Sequence, residues 1–197
     1  NGGPSSARNY GVLQVHGEWV SFIDADDYVS PFYLEALYNA VANLRCPIAC
    51  VSGGTNFFDG EECSLIDADD AIPKPTEYGS ADFERKILYQ QVKSGSQWRL
   101  YHCDLVRSIP FPEGIVIGED LACVYKLVHR AEHIALVDYH GLYAYRMRPT
   151  SLIRQSYRHA KGYSAVTVAD QLYRDISVWY PDLTKAASSR CFSVCRM

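Results

Sequence analysis

Apolar residues recur in this chain in two rhythms: short continuous runs, and spacings of three and four. Runs at 19–23, 48–51, 134–137 and 142–145 are bounded by glycine or polar residues, and each predicts a strand. The first two read as strands buried on both faces, and 55–58 as an edge strand continuing from Ser52-Gly53-Gly54. Between them lie helical spacings. One helix is predicted from Pro4 to about Val15, with Ala7, Val12 and Val15 inward, and another from Pro31 to about Asn43, with Leu34, Leu37, Tyr38 and Val41 inward. Further helices are expected over 83–93, over 119–131 with Leu121, Val124, Leu127 and Val128 inward, and from about Tyr157 to Tyr173, beyond which the pattern weakens. Residues 101–108 read as a short helix or turn and 111–114 as a turn. The stretch 59–82 is acidic, proline-rich and unperiodic, which predicts an exposed excursion or flap. Strands alternating with helices imply an α/β fold.

Composition narrows this picture. A chain of 197 residues, 48% hydrophobic and 21% charged, suits one globular domain with a sizeable core. A net charge of −4 argues against a nucleic-acid partner. The seven cysteines form neither a disulfide framework nor a Cys-x-x-Cys zinc pattern, so reduced and mostly buried thiols are expected. No stretch approaches the ~20 apolar residues of a membrane span and no signal peptide is visible, which reads as a cytoplasmic chain. It starts at Asn1 with a helix entry under way, so an upstream part is expected to be missing.

Candidate chemistry lies where the first run ends, at Asp24, Asp26 and Asp27. Carboxylates at the carboxyl end of a strand sit where open α/β sheets bind ligands. Mg²⁺ typically uses one or two carboxylates together with substrate phosphates, so a metal–diphosphate site is the simplest reading. Three others compete. Asp24, Asp26 and Glu35 fall at positions one, three and twelve of an EF-hand loop, although Val29 stands where that loop wants glycine. A haloacid-dehalogenase-type phosphatase also places Asp-x-Asp after a strand. The plainest alternative is a solvated turn capping the helix at Pro31. The echo Asp67-Ala68-Asp69-Asp70 lies in the excursion and reads as a solvated loop. Gly118-Glu119-Asp120 opens a helix, where acidic residues favour the dipole and where a general base could be held. Arg8 and Asn9 follow the glycine-rich turn 1–6, near a helix amino-terminus able to attract anions. Arg146 and Arg148, with Thr150 and Ser151, suit phosphate binding or an exposed loop equally.

In this order the pieces resemble the bacterial, inverting family 2 glycosyltransferases of GT-A fold. Asn1-Gly2-Gly3-Pro4-Ser5-Ser6-Ala7-Arg8-Asn9-Tyr10-Gly11 is similar to that family's Asn-x-Gly-x-Ser-x-Ala-Arg-Asn-x-Gly segment, and Gly17 to Asp27 to its strand and Asp-x-Asp motif. Ile109 to Gly114 leading to Gly118-Glu119-Asp120-Leu121 resembles the stretch with the catalytic Glu-Asp, and Tyr143-Ala144-Tyr145-Arg146 with Ser151 the closing Tyr-x-Tyr-Arg…Ser. Gln97-Trp98-Arg99-Leu100-Tyr101 departs from the family's Trp-Asn-Lys-Leu-Tyr, its tryptophan one place late and its asparagine absent.

The resemblance implies a Rossmann-like GT-A mixed sheet flanked by helices. It implies a partial transferase domain over 1–155 that lacks its amino-terminal nucleotide-binding strands, and a helical extension over 156–197. It further implies Asp120 as catalytic base aided by Glu119, donor contacts from Asn1, Arg8, Asp24 and Asp27, and Asp26 on Mg²⁺ or Mn²⁺. The implied partners are a nucleotide-sugar donor, a UDP-sugar first, and a glycan or lipid-linked glycan acceptor. The setting would be surface-polysaccharide synthesis at the inner face of the cell membrane. A catalytically silent nucleotide-sugar-binding domain is the non-enzymatic alternative, and a metal-dependent phosphatase the other enzyme.

Overall fold

A computed structural model describes residues 2–63, 65, 72–148 and 159–196. The elements run α1 (Gly3–Gln14), β1 (Trp19–Ser21), β2 (Tyr28–Val29), α2 (Tyr33–Leu44), β3 (Ile48–Val51), β4 (Thr55–Phe58), β5 (Thr76–Gly79) and α3 (Ser80–Leu88). They continue with β6 (Arg99–His102), α4 (Cys103–Ser108), α5 (Glu119–Ala131), β7 (His133–Val137), β8 (Tyr143–Met147) and α6 (His159–Trp179), and a 3₁₀ turn (Pro181–Leu183) leads into α7 (Thr184–Cys195).

Five strands form a mixed sheet in the order β1-β6-β3-β7-β5, in which only β3 and β7 run parallel. A smaller sheet, β2-β8-β4, stands beside it. Alternation along the central strands divides the core in two. Ile48, Cys50, Tyr101, Ile134 and Leu136 face α3, α5, α6 and α7, while Ala49, Val51, Leu100, Ala135 and Val137 face α2. This is the period-two geometry of a sheet covered on both faces. None of the described helices is long and apolar enough to cross a membrane.

Several sequence expectations change. The run at 19–23 yields only a three-residue strand, half-buried throughout, because β1 is an edge strand bonded to β6 alone among the described residues. On α2 the inward face is Tyr33, Ala36, Leu37, Ala40 and Val41, while Leu34 and Tyr38 are exposed. The two alanines bring that helix close to the sheet and set its rotation. Ala7 is exposed on α1, whose buried residues are Ser5 and Val12. The excursion ends earlier than expected, since Thr76–Gly79 pairs with β7 and α3 starts at Ser80. The segment expected as a helix or turn from Tyr101 starts inside an interior strand, β6, and α4 begins only at Cys103. Fully buried Arg99 hides that strand in the sequence.

Candidate active site

The two sequence-distant acidic clusters meet in one cleft of about 730 Å³, lined among others by Arg8, Asp24, Asp26, Glu119 and Asp120. Asp24 and Asp26 stand on the turn after β1, closed by an Asp27 N–H to Asp24 carbonyl bond of 3.0 Å. Glu119 and Asp120 open α5. Gly118 precedes them with φ of 83°, a left-handed conformation that side-chain-bearing residues adopt at a cost.

Arg8 joins the clusters. Its guanidinium lies 3.6 Å from Asp24, 3.2 Å from Glu119 and 2.9 Å from Asp120, over the face of Phe111 at 5.4 Å. Burial works against that charge, but the three carboxylates prevail and hold Arg8 above its usual range. Asn9 fixes α1 in place. Its side chain donates to the Phe111 carbonyl at 2.9 Å and accepts from the Phe111 N–H at 2.8 Å.

The clusters differ in exposure. The side chains of Asp24 and Asp26 are 36% and 37% exposed, those of Glu119 and Asp120 15% and 20%. Burial pushes the Asp120 carboxyl up to about 6; Arg8 opposes the shift and neighbouring Glu119 reinforces it. Asp24 accepts a 2.7 Å hydrogen bond from Gln97, and Asp26 lies 3.3 Å from Arg148.

Asp27, grouped from the sequence with the donor contacts, faces protein instead and is not among the cleft-lining residues. One oxygen accepts from the Tyr143 hydroxyl at 2.6 Å, the other from the Arg146 N–H at 2.9 Å. It therefore ties the acidic turn to β8. Burial raises its carboxyl, while these two bonds pull it back. Glu35, the twelfth position of an EF-hand reading, stands on α2 beside a separate, smaller pocket, which removes that reading. Among the described residues no three His, Cys, Asp or Glu side chains form a metal-holding group. Asn1, the 67–70 echo, Thr150 and Ser151 lie outside the described residues.

Other lining residues gave little sequence signal. Lys93, Ser94, Gly95, Gln97 and Trp98 line the cleft from the segment before β6. Arg99 holds that segment from below, donating to the carbonyls of Lys93, Gly95 and Gln97. Glu84 is fully buried nearby, its carboxyl raised by burial with Arg99 opposing. Gly54 lets the chain pass close by, since a Cβ there would lie 2.6 Å from the Tyr143 carbonyl oxygen and 3.0 Å from Trp98 Nε1. From α7, Arg190 and Val194 reach the same cleft. Arg146 lines it as well and pairs with Asp59 at 3.4 Å.

Residues 1–94 match the family described as Glycosyl transferase family 2. The chain is 31% identical over 159 residues to the glycosyltransferase GlyA of Streptococcus pneumoniae, covering 78% of this chain and 22% of that protein. It is 30% identical over 171 residues to the uncharacterized glycosyltransferase EpsJ of Bacillus subtilis, covering 81% and 46%. The chain thus spans under half the length of either relative. A crystal structure of S. aureus TarS 1-349 in complex with UDP-GlcNAc superposes with a TM-score of 0.61 at 19% identity, covering 87% of this chain and 47% of that one. A further TarS 1-349 structure gives 0.65 at 18% identity, covering 99% and 53%. At such identities the likeness is one of fold, the GT-A-like arrangement.

Proposed function

The chain belongs to the bacterial family 2 glycosyltransferases, and from that premise we propose that it takes part in inverting transfer of a sugar from a nucleoside-diphosphate sugar to a glycan hydroxyl. The observation that carries this reading is Arg8, which draws Asp24 and the Glu119–Asp120 pair onto one guanidinium inside one cleft. A solvated acidic turn and a helix cap would have no reason to converge.

In this reading Asp120 is the base. A carboxyl titrating near 6 is largely ionised at neutral pH yet accepts a proton readily. The acceptor oxygen attacks the anomeric carbon as Asp120 takes its proton, and the bond from that carbon to the diphosphate breaks with its electron pair. One displacement inverts the anomeric configuration. Glu119 keeps Arg8 and the neighbouring carboxylate in position, and Arg8 turns toward the donor phosphates when they enter.

The residues present fit a hard divalent ion shared with a diphosphate. Asp26, with Asp24 beside it, offers partly exposed carboxylate oxygens to the cleft, the one-or-two-carboxylate set that Mg²⁺ or Mn²⁺ uses with substrate phosphates. Such an ion would offset charge on the departing diphosphate. Two features support a UDP-sugar as first candidate: the fold shared with a protein crystallised with UDP-GlcNAc, and the family resemblance of the motifs. Surface-polysaccharide synthesis at the inner membrane face is the setting this reading favours, in line with a 28% identical relative named minor teichoic acid biosynthesis protein GgaB. We assign residues 1–155 to the transferase domain and 156–197 to a helical extension. A donor screen with Mn²⁺, reading free nucleoside diphosphate with and without a glycan acceptor, tests the proposal. Acceptor-dependent UDP release supports it. Donor binding without any release would favour a silent binding domain, and phosphate release from a simple ester a phosphatase.

A further inference from the structure

The cleft is not acidic throughout. Arg8, Arg146 and Arg148 each have a carboxylate partner. Among the described residues, the other two cations lining it, Lys93 and Arg190, have no carboxylate within ion-pair distance. Lys93 is exposed at the rim. Arg190 is only 7% exposed. Its Nη2 donates to the Ser94 hydroxyl at 3.1 Å and its Nη1 to the Ser193 hydroxyl at 3.4 Å, while its buried Nε has no partner. A guanidinium buried against two neutral hydroxyls is poorly compensated. Burial accordingly lowers its proton affinity, against a weaker opposing pull from Cys191. The other buried positions of α7 are the small or apolar Ala186, Ala187 and Val194, so Arg190 is its one buried charge.

A planar fork of N–H donors, an ammonium and a serine hydroxyl line the same cleft. They match the terminal oxygens of a phosphate. Arg190 reaches this wall through Ser94, on the segment anchored by Arg99, and its hydrogen bonds include none to the Asp24–Asp27 turn.

We propose that Arg190, assisted by Lys93, forms a phosphate subsite for the acceptor, so that the sugar is transferred to a phosphate-bearing glycan or polyol. This rests on the transferase reading of the cleft. It assigns the helical extension a part in selecting the acceptor.

The test is calorimetric titration of the full chain with glycerol 3-phosphate and with glycerol, and separately with UDP plus Mn²⁺. The wild type should bind glycerol 3-phosphate and show no heat with glycerol. Arg190→Gln should weaken glycerol 3-phosphate binding about tenfold or more and Arg190→Lys less, while UDP affinity stays within about twofold. Lys93→Gln, at an exposed position where misfolding is not a concern, should weaken the same ligand severalfold and carries the test if Arg190→Gln does not fold. Absence of glycerol 3-phosphate binding by the wild type overturns the proposal. So does an equal loss of UDP affinity in Arg190→Gln, which would give the arginine to the donor diphosphate. If UDP never binds while glycerol 3-phosphate binds through Arg190, the subsite stands and the transferase reading falls; the reverse pattern removes the subsite alone.

Discussion

The turn after β1 and the start of α5 use the same chemical group in different surroundings. Asp24 and Asp26 are more than a third exposed, and water as well as Gln97 and Arg148 can serve their oxygens. Glu119 and Asp120 are mostly covered, and burial drives Asp120 up to about 6. An exposed pair of carboxylates can turn its oxygens toward a cation in the cleft. A buried carboxyl such as that of Asp120 gains proton affinity and suits a base. In the proposed reading burial, rather than residue type, divides the labour within this cleft, and Arg8 lies between the two halves within 3.6 Å of Asp24 and 2.9 Å of Asp120.

The sharpest way to break this contrast is to neutralise the buried side. Asp120→Asn should lower turnover by a factor on the order of 10²–10⁴, the range general-base catalysis supplies, with UDP·Mn²⁺ affinity nearly unchanged in a direct titration. Next in size, Asp26→Ala should abolish the Mn²⁺ dependence of donor binding, read by repeating that titration with chelator present. Arg8→Gln leaves three carboxylates without their shared cation. Because Arg8 holds Asp120 down, its loss should move the acid limb of the rate profile to higher pH and weaken donor binding.

Two smaller effects follow from titration. Turnover should fall as pH drops through about 6, because a protonated Asp120 cannot accept the acceptor's proton. Stability moves the opposite way. A carboxyl raised from about 3.9 in the unfolded chain binds more protons when folded. Its charge therefore opposes folding above about 6, and the penalty fades as pH falls toward 4. The gap between that ordinary value and about 6 corresponds to roughly 3 kcal/mol at most. Asp120→Asn should consequently melt a few degrees higher than the wild type at pH 8 and show no gain at pH 4, measured by thermal scans.

How far the sequence disclosed this arrangement depended on periodicity. Helix α5 was legible to the residue, because Leu121, Val124, Leu127 and Val128 repeat cleanly behind a glycine. Strand β6 was not. Fully buried Arg99 breaks its apolar pattern, and its role in anchoring the 93–97 segment through carbonyls leaves no trace in residue spacing. The acidic turn was visible, yet Asp27's attachment to β8 depends on a partner more than a hundred positions away. Arg190 sits in the weakly patterned tail, where only the packing of α6 and α7 onto α5 and α3 brings it to the cleft.

The proposed reading divides one cleft into a cation-gripping half and a proton-accepting half. It is tested most directly by comparing Asp26→Ala and Asp120→Asn in parallel, each for UDP·Mn²⁺ affinity and for single-turnover sugar transfer. Asp26→Ala should lose affinity, whereas Asp120→Asn should keep affinity and lose the transfer step. Equal loss of affinity in both variants, or transfer preserved in Asp120→Asn, would contradict it.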